Sequence, residues 1–262
     1  MDVFGFNSVS FLSFLLTFVR VSLIVFLLPF FGGESIPATV KAAVCIVLTM
    51  AIWPKVAASA NLFPTHPFSI FLLVVSEALL GMFMGLMVHF VFAGIQLAGQ
   101  IIGNQMGFSM ISLADPSTGQ QLVITSFLAQ TIAMVIFLTL DGHIYILHAL
   151  FSSFKLMPPG QLAVSSPAVS DMIQLSGGMF VLAIKVAGPI VACLFMVELA
   201  LALMARVAPQ MNLLMIGFPI KIGVGFFFMS IMFSLISMRI FDLVRDIGPM
   251  FDNFMRTMGL KD

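Results

Sequence analysis

Arg20, Lys41, Glu77, Lys185, Glu198 and Lys221 each interrupt a stretch of sequence that is otherwise apolar. A charge at the centre of a bilayer costs several kcal/mol unless it is paired or meets water, so such residues mark ion pairs, polar passages or contacts with other chains. Lys41 and Arg20 are read as terminal side chains that snorkel to the membrane surface. Glu77, Lys185 and Glu198 call for a partner or for water. Catalytic chemistry has no foothold beside them. The sequence contains no HExxH, GxSxG, Walker A or dinucleotide fingerprint. His143 and His148, near Asp141, diverge around a helix at five-residue spacing and are read as membrane-boundary residues, not metal ligands. No enzymatic activity and no cofactor are expected.

A second set of residues is spaced for packing. Gly81 and Gly85 form a GxxxG pair, and Gly99, Gly103 and Gly107 a ladder with the same step. Four-residue spacing puts each set on one helix face, where the missing Cβ atoms admit a neighbouring backbone. Gln96, Gln100 and Asn104 repeat with the same step, making an amide stripe about one residue's rotation away. That stripe serves either as interhelical hydrogen-bonding glue or as the polar wall of an aqueous passage. Spacing is the same for both.

The ladder ends in GQIIGNQMGFSMISLADPSTGQQ, residues 99–121. After Gly107 the serines and the DPSTG turn favour loop, while Asp115 can cap a following helix with Pro116 at its first position. Phe108, Met110, Ile111 and Leu113 therefore fall on a short irregular link between two membrane-depth helices. Such backbone survives only where protein buries it or where it lines a cavity. The link is either an ordinary loop packed at a helix end or an apolar constriction that seals by excluding water.

A further break is expected in ARVAPQMNLLMIGFPIKIGVG, residues 205–225. Pro209 and Pro219 each remove a helix donor, and Gly217 adds flexibility beside Lys221, with Gln210 and Asn212 between them. The pattern predicts a discontinuous hairpin. Glu198 and Arg206 lie about two turns apart on a similar helix face, so both should seek partners on other helices or chains, Lys221 among the candidates for a buried pair. Broken helices also bind substrate in secondary transporters, which keeps that alternative open.

The elements that must hold these residues are membrane helices. The chain of 262 residues is 61% hydrophobic and 8% charged, far beyond what a soluble core requires. Apolar runs at about 3–31, 36–53, 68–98, 122–140, 179–205 and 211–238 give five or six spans of the roughly 20 residues that cross a bilayer. The fold class is all-α, as integral membrane helical hairpins with broken helices. Residues 60–68 and 152–171 carry the proline and serine clusters of connections. Eleven basic and eleven acidic residues balance, so nucleic acid is not a partner. Cys45 and Cys193 read as small buried hydrophobes. Arg239, Arg245, Arg256 and Lys261 after the last run point to a cytoplasmic C-terminus. One Trp and one Tyr against 29 Phe and 21 Met make a poor aromatic belt, which suggests limited lipid contact.

The segments GQIIGNQMGFSMISLADPSTG and RVAPQMNLLMIGFPIKIGVG, in this order and spacing, resemble the signature regions of the FliR family of flagellar type III export-gate proteins, whose injectisome relatives are the SctT-type components. PFFGGESIPATVKAAV and the short charged C-terminus extend the resemblance over essentially the whole chain, and QMGF resembles the flagellar branch more than the injectisome branch. The resemblance implies a single membrane domain in the bacterial inner membrane at the flagellar basal body. Residues 1–175 would form a FliP-like part and 176–262 a FliQ-like hairpin. It further implies one hetero-oligomer with FliP and FliQ, with FlhB and FlhA associated, much of it lifted out of the bilayer lipid. The region from Phe108 to Gln120 matches the family's plug loop, closing a channel for unfolded flagellar subunits.

Overall fold

The computed structural model describes residues 8–32, 36–56, 66–108, 124–159, 166–210 and 212–259. All regular structure among them is helical: α1 (Ser8–Leu27), α2 (Pro29–Gly32), α3 (Ala38–Val56), α4 (Pro67–Met106), α5 (Ile124–Thr139), α6 (Gly142–Leu156), α7 (Ser166–Val207) and α8 (Leu213–Gly259). Five of these are long and apolar enough to cross a membrane, and the broken pair α5–α6 makes a sixth candidate if taken as one span. The all-α expectation and the number of spans agree with the sequence reading.

The helices run further than the apolar stretches that announced them. α4 has 40 residues, α7 has 42 and α8 has 47, which at 1.5 Å per residue is about 60–70 Å against a hydrocarbon core of about 30 Å. α6 occupies part of what composition marked as a connection, reaching Leu156. α7 opens at Ser166, with Pro167 in the first turn, where its missing N–H would have no acceptor anyway. A break separates α5 from α6. It falls at Asp141, which takes the left-handed conformation at φ 57° without a side-chain cap.

By its contacts the chain divides into two compact units. The first comprises Met1–Phe90, Asp141–Ser176 and Val244–Asp262. Here α1 packs along α3, burying Leu16, Val21 and Ile24. α4 approaches α1 through the first glycine pair: a Cβ on Gly81 would lie 2.7 Å from the Arg20 carbonyl oxygen, and one on Gly85 2.6 Å from the Leu27 Cβ. The end of α8 lays Ile247, Phe251, Phe254 and Met255 inward, with Phe254 edge-on to Phe83. Two buried hydroxyls of the apolar helices bond back to their own backbone, Thr17 to the Ser13 carbonyl and Thr49 to that of Cys45, which satisfies each donor within its helix.

The second unit comprises Val91–Leu140 and Gly177–Leu243. Its interior includes Phe92 and Phe137, packed edge to face with ring centroids 5.5 Å apart, together with Ile95, Ile102 and Leu194.

Candidate functional site

In the second unit the glycine ladder meets α5 and α8. The Thr125 hydroxyl donates to the Gly99 carbonyl at 2.7 Å, and a Cβ on Gly99 would fall 2.6 Å from the Ser126 Cα. Gly103 is buried one turn on. Gly107 terminates α4: its N–H bonds the Asn104 carbonyl at 3.1 Å and its φ of +93° belongs to the region that L side chains avoid. A Cβ there would also meet the Phe218 ring, 2.5 Å from Cε1. Phe108 then lies against Phe226, with centroids 6.5 Å apart, and Gly225 receives the Met106 side chain. The end of α4 is thus fixed against α8 by two glycines, one on each helix. Met110, Ile111, Leu113, Asp115 and Pro116 lie outside the described residues.

Beside this contact sits a polar centre. Lys221 Nζ donates to Glu198 Oε1 at 3.1 Å and Gln105 Nε2 donates to Glu198 Oε2 at 3.0 Å, so one carboxylate ties α4, α7 and α8 together. The side chains are 51% exposed for Glu198 and 20% for Lys221. The partner expected for Glu198 on another helix or chain is thus found on other helices of the same chain, in a pair that is half exposed where the sequence reading had it buried. Gln105 was not singled out in the sequence, because nothing in the stripe of Gln96, Gln100 and Asn104 distinguishes the residue one step further on. Within the stripe, Gln96 is half-buried while Gln100 and Asn104 are exposed.

The expected discontinuity at 205–225 is narrower than the prolines suggested. α7 ends at Val207 and α8 starts at Leu213, and from there α8 is continuous through Gly217, Pro219 and Lys221. Pro219 lies near the start of a 47-residue helix, so the one backbone bond it removes is outweighed by those on either side. Pro209, Gln210 and Asn212 occupy the link and are exposed, as is Arg206 in the last turn of α7. Arg206 and Glu198 do not pair.

The first unit holds a different charged centre. Arg20 is fully buried and does not snorkel: its Nε donates to Glu77 Oε2, Nη1 and Nη2 each reach the Met157 carbonyl at 3.1 Å, and Nη1 reaches the Ser153 hydroxyl at 3.3 Å. The guanidinium also lies over the Phe154 ring, 4.3 Å from its centroid. Snorkelling fails because Arg20 faces α4 and α6, where a carboxylate and the free carbonyls of a helix end offer more than the membrane surface. Lys185 is exposed on α7. Among the described residues, no group of three or more His, Cys, Asp or Glu could hold a metal ion.

Long membrane helices, charges stitched into helix contacts and glycine-fitted helix ends define a helical integral membrane protein built for packing. Comparison with known proteins makes this specific. Residues 11–247 match the family described as "Bacterial export proteins, family 1". The chain is 30% identical to "Flagellar biosynthetic protein FliR" of Bacillus subtilis over 94% of both chains, and 30% identical to the protein of that name from Escherichia coli over 87% of this chain and 90% of the relative. It is 28% identical to "Surface presentation of antigens protein SpaR" of Salmonella typhimurium over 84% of this chain and 82% of the relative. The chain belongs to this family of bacterial export proteins, the FliR family. It is a membrane component of the flagellar export apparatus in the inner membrane, not an enzyme.

Proposed function

We propose that this chain joins FliP- and FliQ-type proteins in one hetero-oligomer, with FlhB and FlhA associated, and helps to form the channel through which unfolded flagellar subunits leave the cytoplasm. One observation carries the assembly reading. Large apolar side chains stand exposed along α7 from Val169 to Val207, among them Ile173, Phe180, Ile184, Phe195, Leu199 and Leu203. That stripe is about 57 Å long, whereas a bilayer core of about 30 Å covers only about 40 Å of helix even at the steepest usual tilt. Lipid leaves the remainder wet. Protein partners are the available cover.

Within this reading, residues 1–175 act as the FliP-like part and 176–262 as a FliQ-like hairpin, supported by two long helices joined through the short link at 208–212. Phe108, Met110, Ile111 and Leu113 begin a plug, followed by the Asp115-Pro116 turn. An apolar constriction blocks ions by dewetting and can part around an extended polypeptide.

The test is a flagellated host lacking its own homologue. Expressing this chain should restore motility and secretion of flagellar subunits, and the chain should co-purify with FliP- and FliQ-type proteins. Deleting residues 110–113 should leave the complex assembled but raise its ion conductance. A chain that purifies alone while motility is restored would sink the hetero-oligomer, and a deletion mutant as impermeable as the parent would sink the plug.

A further inference from the structure

Lys185 is a charged residue in the apolar part of α7 that the functional reading leaves unused. It lies midway between the nearest charged residues of the helix, Asp171 and Glu198, 14 and 13 residues away. Those separations are about 20 Å each along the axis, while a lysine stem reaches about 6 Å. The nineteen residues 179–197 are apolar or small apart from Lys185, and their length of about 28 Å matches one hydrocarbon core. Among the described residues Lys185 makes no ion pair, unlike Lys221 and Arg20.

Its surroundings are open. Turning about 100° per residue brings Gly178, Val181, Gly188 and Ala192 onto the face of Lys185. Val181 is half exposed to solvent, and a Cβ added at Gly178 or at Gly188 would meet nothing within 4 Å. Further along the same stripe stand Met196, Leu199 and Leu203, all exposed. Ala183, Val186, Ala187 and Ile190 make the opposite, buried face. This is an apolar helix surface with one positive charge at its middle and room for a second helix on either side of it. A lipid headgroup would meet the charge at an interface, but from Gly178 to Leu203 this face offers none of the Trp, Tyr or further polar residues that mark one.

We infer that the face of α7 centred on Lys185 docks a membrane helix of another chain, and that this helix carries a carboxylate in ion-pair reach of Lys185 Nζ. The inference rests on the hetero-oligomeric reading above and names the chemistry of one partner in it. Charge complementarity decides the partner. An uncharged helix would bury the ammonium unpaired, which costs several kcal/mol, whereas an acidic helix offsets that cost only in the correct register. Lys185 would thereby set the register of a contact that is otherwise uniformly apolar and free to slide.

The test uses the full-length chain co-expressed with its apparatus, comparing wild type with Lys185→Arg, Lys185→Met and Lys185→Glu. Lys185 is exposed and makes no ion pair among the described residues, so the amount of chain in the membrane should stay constant across the four. Intact complex should be unchanged for Lys185→Arg, fall several-fold for Lys185→Met and fall at least tenfold for Lys185→Glu. A photo-crosslinking residue at Ile184 should capture a protein chain with an acidic residue inside its apolar helix, and reversing that acid should restore the Lys185→Glu complex. Full assembly of Lys185→Met and Lys185→Glu, or crosslinks to lipid alone, would overturn the inference while leaving the hetero-oligomer intact. Failure of the wild-type chain to co-purify with any partner would instead strike the reading on which it rests.

Discussion

Arg20 and Glu77 form an ion pair between α1 and α4 in which both side chains are fully buried. Two charges removed from water repay their desolvation only when the remaining donors are also met. Arg20 meets this condition by sending its other two nitrogens to the Met157 carbonyl, at the C-terminal cap of α6, where helix carbonyls lack internal partners. One guanidinium therefore joins three helices that are far apart in sequence.

Removing either partner strands the other. Arg20→Met or Glu77→Leu alone should destabilise the protein by about 3–5 kcal/mol, while the double substitution should cost much less than the sum of the two. Thermal unfolding of the purified complex, read as a double-mutant cycle, gives the coupling. Additive costs would mean that the two charges are solvated independently, against the burial seen here.

The glycines differ from one another in a way that alanine can expose. At Gly99 the obstacle to a Cβ is the Ser126 backbone, which cannot swing aside, whereas at Gly248 no atom lies within 4 Å. Gly99→Ala should lower stability by about 1–3 kcal/mol through overpacking, and Gly248→Ala should raise it by up to about 1 kcal/mol through helix propensity. Melting temperatures of the two variants should move in opposite directions. A neutral Gly99→Ala would mean that α4 and α5 can part without cost.

Glu198 and Lys221 call for a smaller number than a buried pair. With Glu198 half exposed, water screens the attraction, and the pair should contribute about 0.2–1 kcal/mol. Lys221→Ala should leave the fold intact, and the exchanged pair Glu198→Lys with Lys221→Glu should come close to wild type in complex yield. A loss as large as that at Arg20 would show that a partner chain buries this centre in the assembly.

Sequence patterns made the membrane helices legible because lipid dictates their length and composition, and the signature segments made the family legible. They made less of what lies outside lipid. The last turns of α8 read as a short charged tail, yet Ile247, Phe251, Phe254 and Met255 bury at helical spacing beneath exposed Arg245, Asp252 and Arg256. Charge density hid a 3.6-residue period. Pro219 misled in the other direction: a proline weakens one bond of a helix, and a helix of 47 residues tolerates it. The Arg20–Glu77 pairing was not legible because its members lie 57 positions apart: Arg20 alone resembles a residue that snorkels, and Glu77 called for a partner without indicating which. Gly81 and Gly85, by contrast, carried their close approach openly in their spacing.

Gly107 is constrained twice over, and the two constraints can be separated. Its φ of +93° strains any L residue, and its α-hydrogen points at the Phe218 ring, where a Cβ would come within 2.5 Å. Gly107→Ala should therefore cost about 1–2 kcal/mol for the backbone and about 1–3 kcal/mol for the clash. Phe218→Ala removes the ring and with it only the second contribution. In that background the cost of Gly107→Ala should fall to the backbone share, measured as the difference between the melting curves of the two pairs of variants. If the cost is the same in both backgrounds, Phe218 moves aside freely, and the end of α4 is positioned by the conformation of Gly107 alone. If it vanishes with the ring, the positive φ is imposed by packing against α8, and Phe218 is the residue that fixes the end of α4.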